Sequence, residues 1–276
     1  SVEKINKFFN EETITNKKGT FNKKSKKKIS ALIVVHTFGN AVDIKSLIKV
    51  CKKKKVKIIE DAAESLGTYY TKKYLQKKHT GTVGDYGCLS FNGNKIITTG
   101  GGGALLTDES KKYLLGNYLC DQAKDDVVFS IHNDVGYNYK LSNIQSALGC
   151  AQLKKLKSYI KKKKIIHENY CKLFEGSKKF SILKPKTFYR SNFWLNVLII
   201  KDTKKIKIKN IILKLKKSNI EARPIWKANH LQKPYRKFQR YNIKKAYKII
   251  ETHLCIPSSA NLTFTDQKKI YNLINN

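Results

Sequence analysis

The chain has 276 residues, 41% of them hydrophobic, enough for one large domain or two ordinary ones around a buried core. Its formal charge is +37, yet only Arg190, Arg223, Arg236 and Arg240 supply the planar fork that base and phosphate recognition recruits, so the charge reads as solvated lysine faces ahead of a specific nucleic-acid groove. No long apolar run and no leader pattern argue for a membrane span or secretion, and six scattered cysteines without metal-ligand spacing read as reduced, mostly buried thiols of a cytoplasmic protein.

Along the chain, the Lys-rich stretch from Lys17 to Lys28 reads as a hairpin or exposed loop. Ala31 to Val35 (ALIVV) has the pattern of a strand buried on both faces. Ile44, Leu47, Ile48 and Cys51 then recur at helical spacing behind Asp43, and Val56 to Glu60 (VKIIE) is the next strand. A β-α-β unit of this kind implies a parallel sheet with right-handed crossovers. Two further strands are expected at Gly87 to Phe91 and Ala104 to Thr107, with a helix over Glu109 to Leu119. Helical spacing resumes at Ser142 and runs to about Phe174 with a break near Ser158. Past a change of composition at Ser177 to Pro185 come a strand at Trp194 to Ile200, a helix around Ile208 to Leu215, and a short strand at Ile220 to Arg223. Helices near Ile243 to His253 and Thr265 to Ile274 complete a smaller α+β domain. The expected division is therefore 1–176 and 177–276.

Ligands of open α/β sheets bind outside the carboxyl ends of the strands. Asp61 follows VKIIE, Ser90 ends GCLSF, and Lys95 lies five residues on, ahead of the glycines Gly100 to Gly103. A carboxylate, a hydroxyl and an amine on one edge suit a cofactor that needs a pyridinium partner, a phosphate ligand and an imine-forming lysine.

The stretches IIEDAAESLGTYY (Ile58 to Tyr70), GDYGCLSFNGNKIITTGGGGALLTD (Gly84 to Asp108) and GYNYKLSNIQSALG (Gly136 to Gly149) resemble the DegT/StrS family of sugar aminotransferases. The likeness runs from Val34 to Tyr235 and more weakly to the C-terminus. It implies the fold of type I pyridoxal-phosphate enzymes, in the manner of aspartate aminotransferase: a mostly parallel sheet flanked by helices, plus a small C-terminal domain. It also implies pyridoxal 5′-phosphate as cofactor, with Lys95 as the catalytic Schiff-base lysine and Asp61 at the pyridine nitrogen. Ser90 would be a phosphate ligand, and Asn138 would reach the phosphate in the neighbouring subunit of a homodimer. Asp61 also suits a helix N-cap, and the glycine run a turn with no ligand.

Two residues depart from the family pattern. Glu64 stands where glutamine is usual near the cofactor's phenolic oxygen, and Lys140 where arginine is usual. The upstream residues with which family members begin have no counterpart before Val34, and there is no methionine, so the chain is expected to be N-terminally incomplete. The subgroup pattern, including KKHTGTVGD, resembles enzymes that aminate C4 of UDP-linked 4-keto-6-deoxy-hexoses with glutamate as donor. Arg223 and His230 match its substrate-binding segment, although a buried structural role accounts for His230 equally well. The competing readings are a sugar dehydratase of the same fold, which would carry histidine in place of Lys95, an inactive fragment, and a lysine-rich nucleic-acid-binding protein.

Overall fold

The computed structural model describes residues 1–276, which divide into one unit of Ser1–Ser158 and Lys186–Asn192 and another of Tyr159–Pro185 and Phe193–Asn276. In the first, α1 (Val2–Glu11) leads into an antiparallel hairpin, Thr13–Asn16 with Gly19–Asn22, turning at Lys17 and Lys18. There follow β1 (Ala31–Val35), α2 (Ile44–Lys53), β2 (Lys57–Asp61), β3 (Tyr86–Ser90), β4 (Gly103–Leu106), α3 (Ser110–Cys120) and the start of α4 (Asn143–Leu173). The sheet order is β1-β2-β3-β4. The pairs β1–β2 and β2–β3 are parallel, as the β-α-β pattern predicts for this α/β class, while β3–β4 is antiparallel. Ile44, Leu47 and Cys51 put one face of α2 onto Val34, Ile58 and Phe9, which form this unit's core.

Three expectations change here. Strand β1 is covered on one face only: Val34 is buried, while Ile33 and Val35 are 64% and 43% exposed. It lies at the sheet edge, and an unbroken apolar run looks the same whether or not its second face is packed. Helix α4 runs through Ser158 without the expected break. All six cysteines are free, but only Cys51 is buried, because the others lie on partly covered strands or helix faces and Cys150 is fully on the open side of α4.

The second unit contains β5 (Phe180–Ile182), β6 (Asn196–Ile200), α5 (Ile208–Lys217), β7 (Arg223–Pro224), α6 (Lys244–Thr252), β8 (His253–Ile256) and α7 (Phe264–Asn275). Its strands form an antiparallel sheet in the order β5-β6-β8-β7. Thr263 and Asp266 close a reciprocal capping box at the start of α7. The C-terminal half of α4 belongs to this unit, because Ile166, Tyr170 and Phe174 pack into one core with Leu198, Leu215, Leu254 and Ile270. The division therefore falls after Ser158, inside the helix, instead of between 176 and 177, and Lys186–Asn192 returns to the first unit. No helix is long and apolar enough to cross a membrane.

Lys163 on α4 is buried, its Nζ donating to the carbonyls of Trp194 (3.1 Å) and Ser258 (2.6 Å). Burial lowers its pKa from 10.5 to about 8. The folded state then holds fewer protons than the unfolded state between those values, so stability is lowest below about pH 8 and rises towards pH 10.5. Denaturant unfolding should show a gain of about 3 kcal/mol across that window. Lys163→Met should lack this rise, and an unchanged slope in the variant would show that the lysine is not its source.

Candidate functional site

Because β1, β2 and β3 run parallel, Val35, Asp61 and Ser90 end on one edge of the sheet, and loops 36–42, 62–68 and 91–102 follow there. Side chains alternate along β2, with Ile58 and Glu60 buried on one face and Asp61 directed to the other. Asp61 is the register partner of Cys88, and Ser90, two residues further, shares that face. Burial, then the Asp61 charge, raise the Cys88 thiol pKa above its ordinary value.

No helix follows Asp61; its carboxylate accepts the Ala63 N–H at 3.1 Å in a local turn, which removes the helix-cap alternative. Three residues on, the Glu64 carboxylate accepts the Phe38 N–H at 2.6 Å. Burial pushes the Glu64 carboxyl above its usual range; the Phe38 bond and the Lys95 charge oppose the rise, and the Asp61 charge adds to it. Glu64 thus senses both the carboxylate that ends β2 and the amine of the loop beyond β3. Lys95 is half-buried, its N–H bonded to the Asn92 carbonyl at 3.0 Å, and the buried Ile96 and Ile97 anchor the loop behind it. Ser90 Oγ, at 3.4 Å from the Asn92 nitrogen, marks the start of the same loop. Within the glycine run Gly102 has φ +105°, and a Cβ there would strike the Leu141 side chain, so that position admits only glycine.

The remaining expected residues have surroundings of their own. Asn138 is exposed and bridges to Asp121 through the backbone. Lys140 engages the Asp121 carboxylate at 2.7 Å. Arg223 and His230 belong to the second unit. The Arg223 guanidinium is paired with Glu221 at 2.6 Å; His230 packs edge-on against Tyr247, with no hydrogen-bond partner at its buried Nε2.

The sequence reading assigned no part to the residues that hold the edge in place. Glu60 and His36 are fully buried and meet at 2.8 Å. His36 Nδ1 accepts the Val42 N–H at 3.2 Å, so the proton of the neutral ring sits on Nε2 and faces Glu60. Glu60 also accepts N–H groups of Gly81 (2.9 Å), Val83 (2.7 Å) and Gly84 (2.6 Å). The available signal was an acid alternating onto the apolar face of a strand, where it must find donors.

Burial alone would raise the Glu60 pKa, but the bonds from His36, Gly81 and Gly84 outweigh it and hold the carboxyl below its ordinary value of 4.5. Its stabilising contribution is therefore complete above pH 4.5 and is lost as pH falls through the lower folded value. Glu60→Gln should cost on the order of 2–4 kcal/mol at neutral pH, since an amide places a donor against three N–H groups. The variant should also lose part of the acid dependence seen by thermal melts; a melt profile identical to that of the parent below pH 4.5 would refute this account.

Comparison with known proteins gives this geometry a family. The chain is 33% identical to EpsN of Bacillus subtilis (strain 168), named as a pyridoxal phosphate-dependent aminotransferase, over 88% of this chain and 62% of that protein. It thus spans a little under two thirds of that relative's length. A GDP-perosamine synthase of Vibrio cholerae is 29% identical over 92% of this chain and 68% of its own. A UDP-4-amino-4,6-dideoxy-N-acetyl-beta-L-altrosamine transaminase of Campylobacter jejuni (strain 81-176) is 34% identical over 62% of this chain and 45% of its own. Among solved structures, Helicobacter pylori PseC, an aminotransferase of pseudoaminic acid biosynthesis, superposes with a TM-score of 0.81 at 26% identity, over 89% of this chain and 66% of that one. With residues 9–275 matching the family, the chain belongs to the DegT/DnrJ/EryC1/StrS aminotransferases.

Proposed function

We propose that this protein is an aminotransferase that moves an amino group from glutamate to C4 of a UDP-linked 4-keto-6-deoxy-hexose, in the synthesis of a cell-surface sugar. The carrying observation is that the parallel strands β2 and β3 bring Asp61 and Ser90 to one face of one sheet edge, with Lys95 in the loop that follows Ser90. The family and the named dependence of EpsN give pyridoxal 5′-phosphate as the cofactor. The residues on this edge fit that group: a carboxylate ending β2, a hydroxyl ending β3 on the same face, and a lysine in the next loop.

When bound, pyridoxal phosphate supplies an electron sink for the negative charge that develops at the carbon exchanging its amino group. Asp61 is read as the partner that keeps a proton on the ring nitrogen, and Ser90 Oγ as a donor to the phosphate. Lys95 Nζ is read as the covalent anchor and as the base that carries a proton to and from the substrate carbon. Glu64, its carboxyl pushed above its usual range by burial, is read as the residue beside the phenolic oxygen. Arg223 and His230 are proposed to contact the nucleotide sugar, with the unpartnered His230 Nε2 as the polar atom in support.

The name of the Campylobacter relative supports a UDP-linked substrate, and that of the Vibrio relative makes the GDP-linked sugar the necessary comparison. A homodimer is supported by the apolar run Val127, Val128 and Phe129, which is 77–83% exposed in the same segment as Asn138. We place the protein in the cytoplasm, where its six free thiols would stay reduced.

Lys95→Ala should abolish the visible absorbance that pyridoxal phosphate acquires on the protein and lower amino transfer by roughly 10²–10⁴-fold. A visible band that persists in this variant would refute the assignment of the lysine. Product formation with UDP-linked but not GDP-linked 4-keto sugar, and with glutamate as donor, is the outcome expected of the substrate assay; the reverse preference would overturn the UDP reading. Sedimentation should report a dimer that Phe129→Asp converts to a monomer, and a monomeric parent would end the dimer reading.

A further inference from the structure

The loop 62–68, which carries Glu64, is held from three directions. Ser65 Oγ meets Thr80 Oγ1 at 2.8 Å, and the Gly67 N–H donates to His79 Nε2 at 2.7 Å. The third hold comes from far along the chain. Segment 186–192 returns to the first unit, pairs Tyr189 and Arg190 with Tyr70 and Tyr69, and ends at the fully buried Asn192. The two hydrogens of the Asn192 side-chain amide go to the carbonyls of Glu64 and Leu66, each at 2.9 Å, and its backbone N–H donates to Thr68 Oγ1 at 3.1 Å. Thr68 Oγ1 in turn donates to the Gly39 carbonyl at 2.9 Å, next to Phe38, whose N–H binds the Glu64 carboxylate.

We infer that Asn192 is a positioning residue: by gripping the backbone carbonyls of Glu64 and Leu66 it holds the Glu64 carboxyl against the Phe38 N–H and out of water. The geometry admits one orientation of the amide. Turned over, its oxygen would face two carbonyl oxygens, so the two acceptors select the nitrogen. Without this grip the loop can rotate about the Ser65 anchor, and the Glu64 carboxyl gains water. The charged and polar groups that act on that carboxyl are the Phe38 N–H, Lys95 and Asp61, and none of them is altered by a change at 192.

The test is the titration of the Glu64 carboxyl, followed by carbon-13 NMR of glutamate-labelled protein and assigned by the loss of one resonance in Glu64→Gln. In Asn192→Ala the Glu64 midpoint should fall towards the ordinary carboxylate range. In Thr20→Val, a buried change by the Lys54 carbonyl, it should stay where it is even if the melting temperature drops. Should Asn192→Ala not fold, Asn192→Ser carries the same expectation. A Glu64 midpoint that is unchanged in a folded Asn192 variant overturns the proposal. A second readout rests on the proposed cofactor role of Glu64: the pH dependence of the visible absorbance with pyridoxal phosphate should shift in Asn192→Ala, but show no further shift when Asn192→Ala is added to Glu64→Gln. If the parent shows no visible band, the cofactor reading fails, while the carboxyl titration still decides the role of Asn192.

Discussion

The site edge depends on one buried carboxylate. Glu60 has no exposed surface, and an ionised group in that position is tolerable only if its lone pairs are filled by donors. The donors come from both sides of β2: the His36 ring after β1, and the Gly81, Val83 and Gly84 amides ahead of β3. Two connections that would otherwise be ordinary surface loops are thereby tied to one strand end. The pleat then settles the neighbouring residue, because with Glu60 turned into the protein Asp61 must point to the other face. An apolar side chain in place of Glu60 would leave three N–H groups and the His36 ring without their acceptor and would untie the two loops, so the carboxylate serves location and stability together.

In the role proposed for it, Glu64 would conserve the chemistry of the glutamine expected from the resemblance. Glutamine offers an N–H donor; a carboxyl that keeps its proton offers an O–H donor at nearly the same reach. Burial and the nearby Asp61 charge both push Glu64 in that direction, and only the Phe38 N–H and the Lys95 charge oppose them. The upward push depends on the loop keeping the carboxyl out of water. Lys140 is a different kind of departure. Its ammonium satisfies Asp121 with a single contact, which needs no planar fork.

What could be read from the sequence follows from the range of the interactions involved. Strands β1 to β4 and helices α2 and α3 each announce themselves through local periodicity, and the structure places them within a few residues of the expected positions. The placement of Asp61 and Ser90 at strand ends, and of Lys95 in the loop beyond, was legible for a related reason, since such positions are defined by near neighbours. Strands β5 and β8 were missed because FSI and HLCI are too short to show a period, and β8 follows α6 with no intervening turn residue. Cores can only be read by pairing distant segments. Helix α4 passes from the first unit to the second at Ser158, where the sequence pattern suggested a break that the helix does not make, and only its second half joins a core, which lies in distant segments of the second unit.

The same argument explains why Asn192 carried no signal. It stands next to an ordinary short strand pairing, and its amide partners lie 128 and 126 residues earlier. Between the two, the chain leaves the first unit at Tyr159, builds β5 in the second, and comes back at Lys186. Closing so long a loop costs entropy that only a set of cooperating contacts can offset. The return supplies such a set: the two-residue pairing of Tyr189 and Arg190, the Tyr189 hydroxyl on Asn40, Ser191 on Gly39, and the Asn192 amide. The loop that carries Glu64 is thus completed by residues synthesised after the whole of α4. A chain ending at Ser158 would contain Asp61, Glu64, Ser90 and Lys95, and still lack the hydrogen bonds that hold one of them in place.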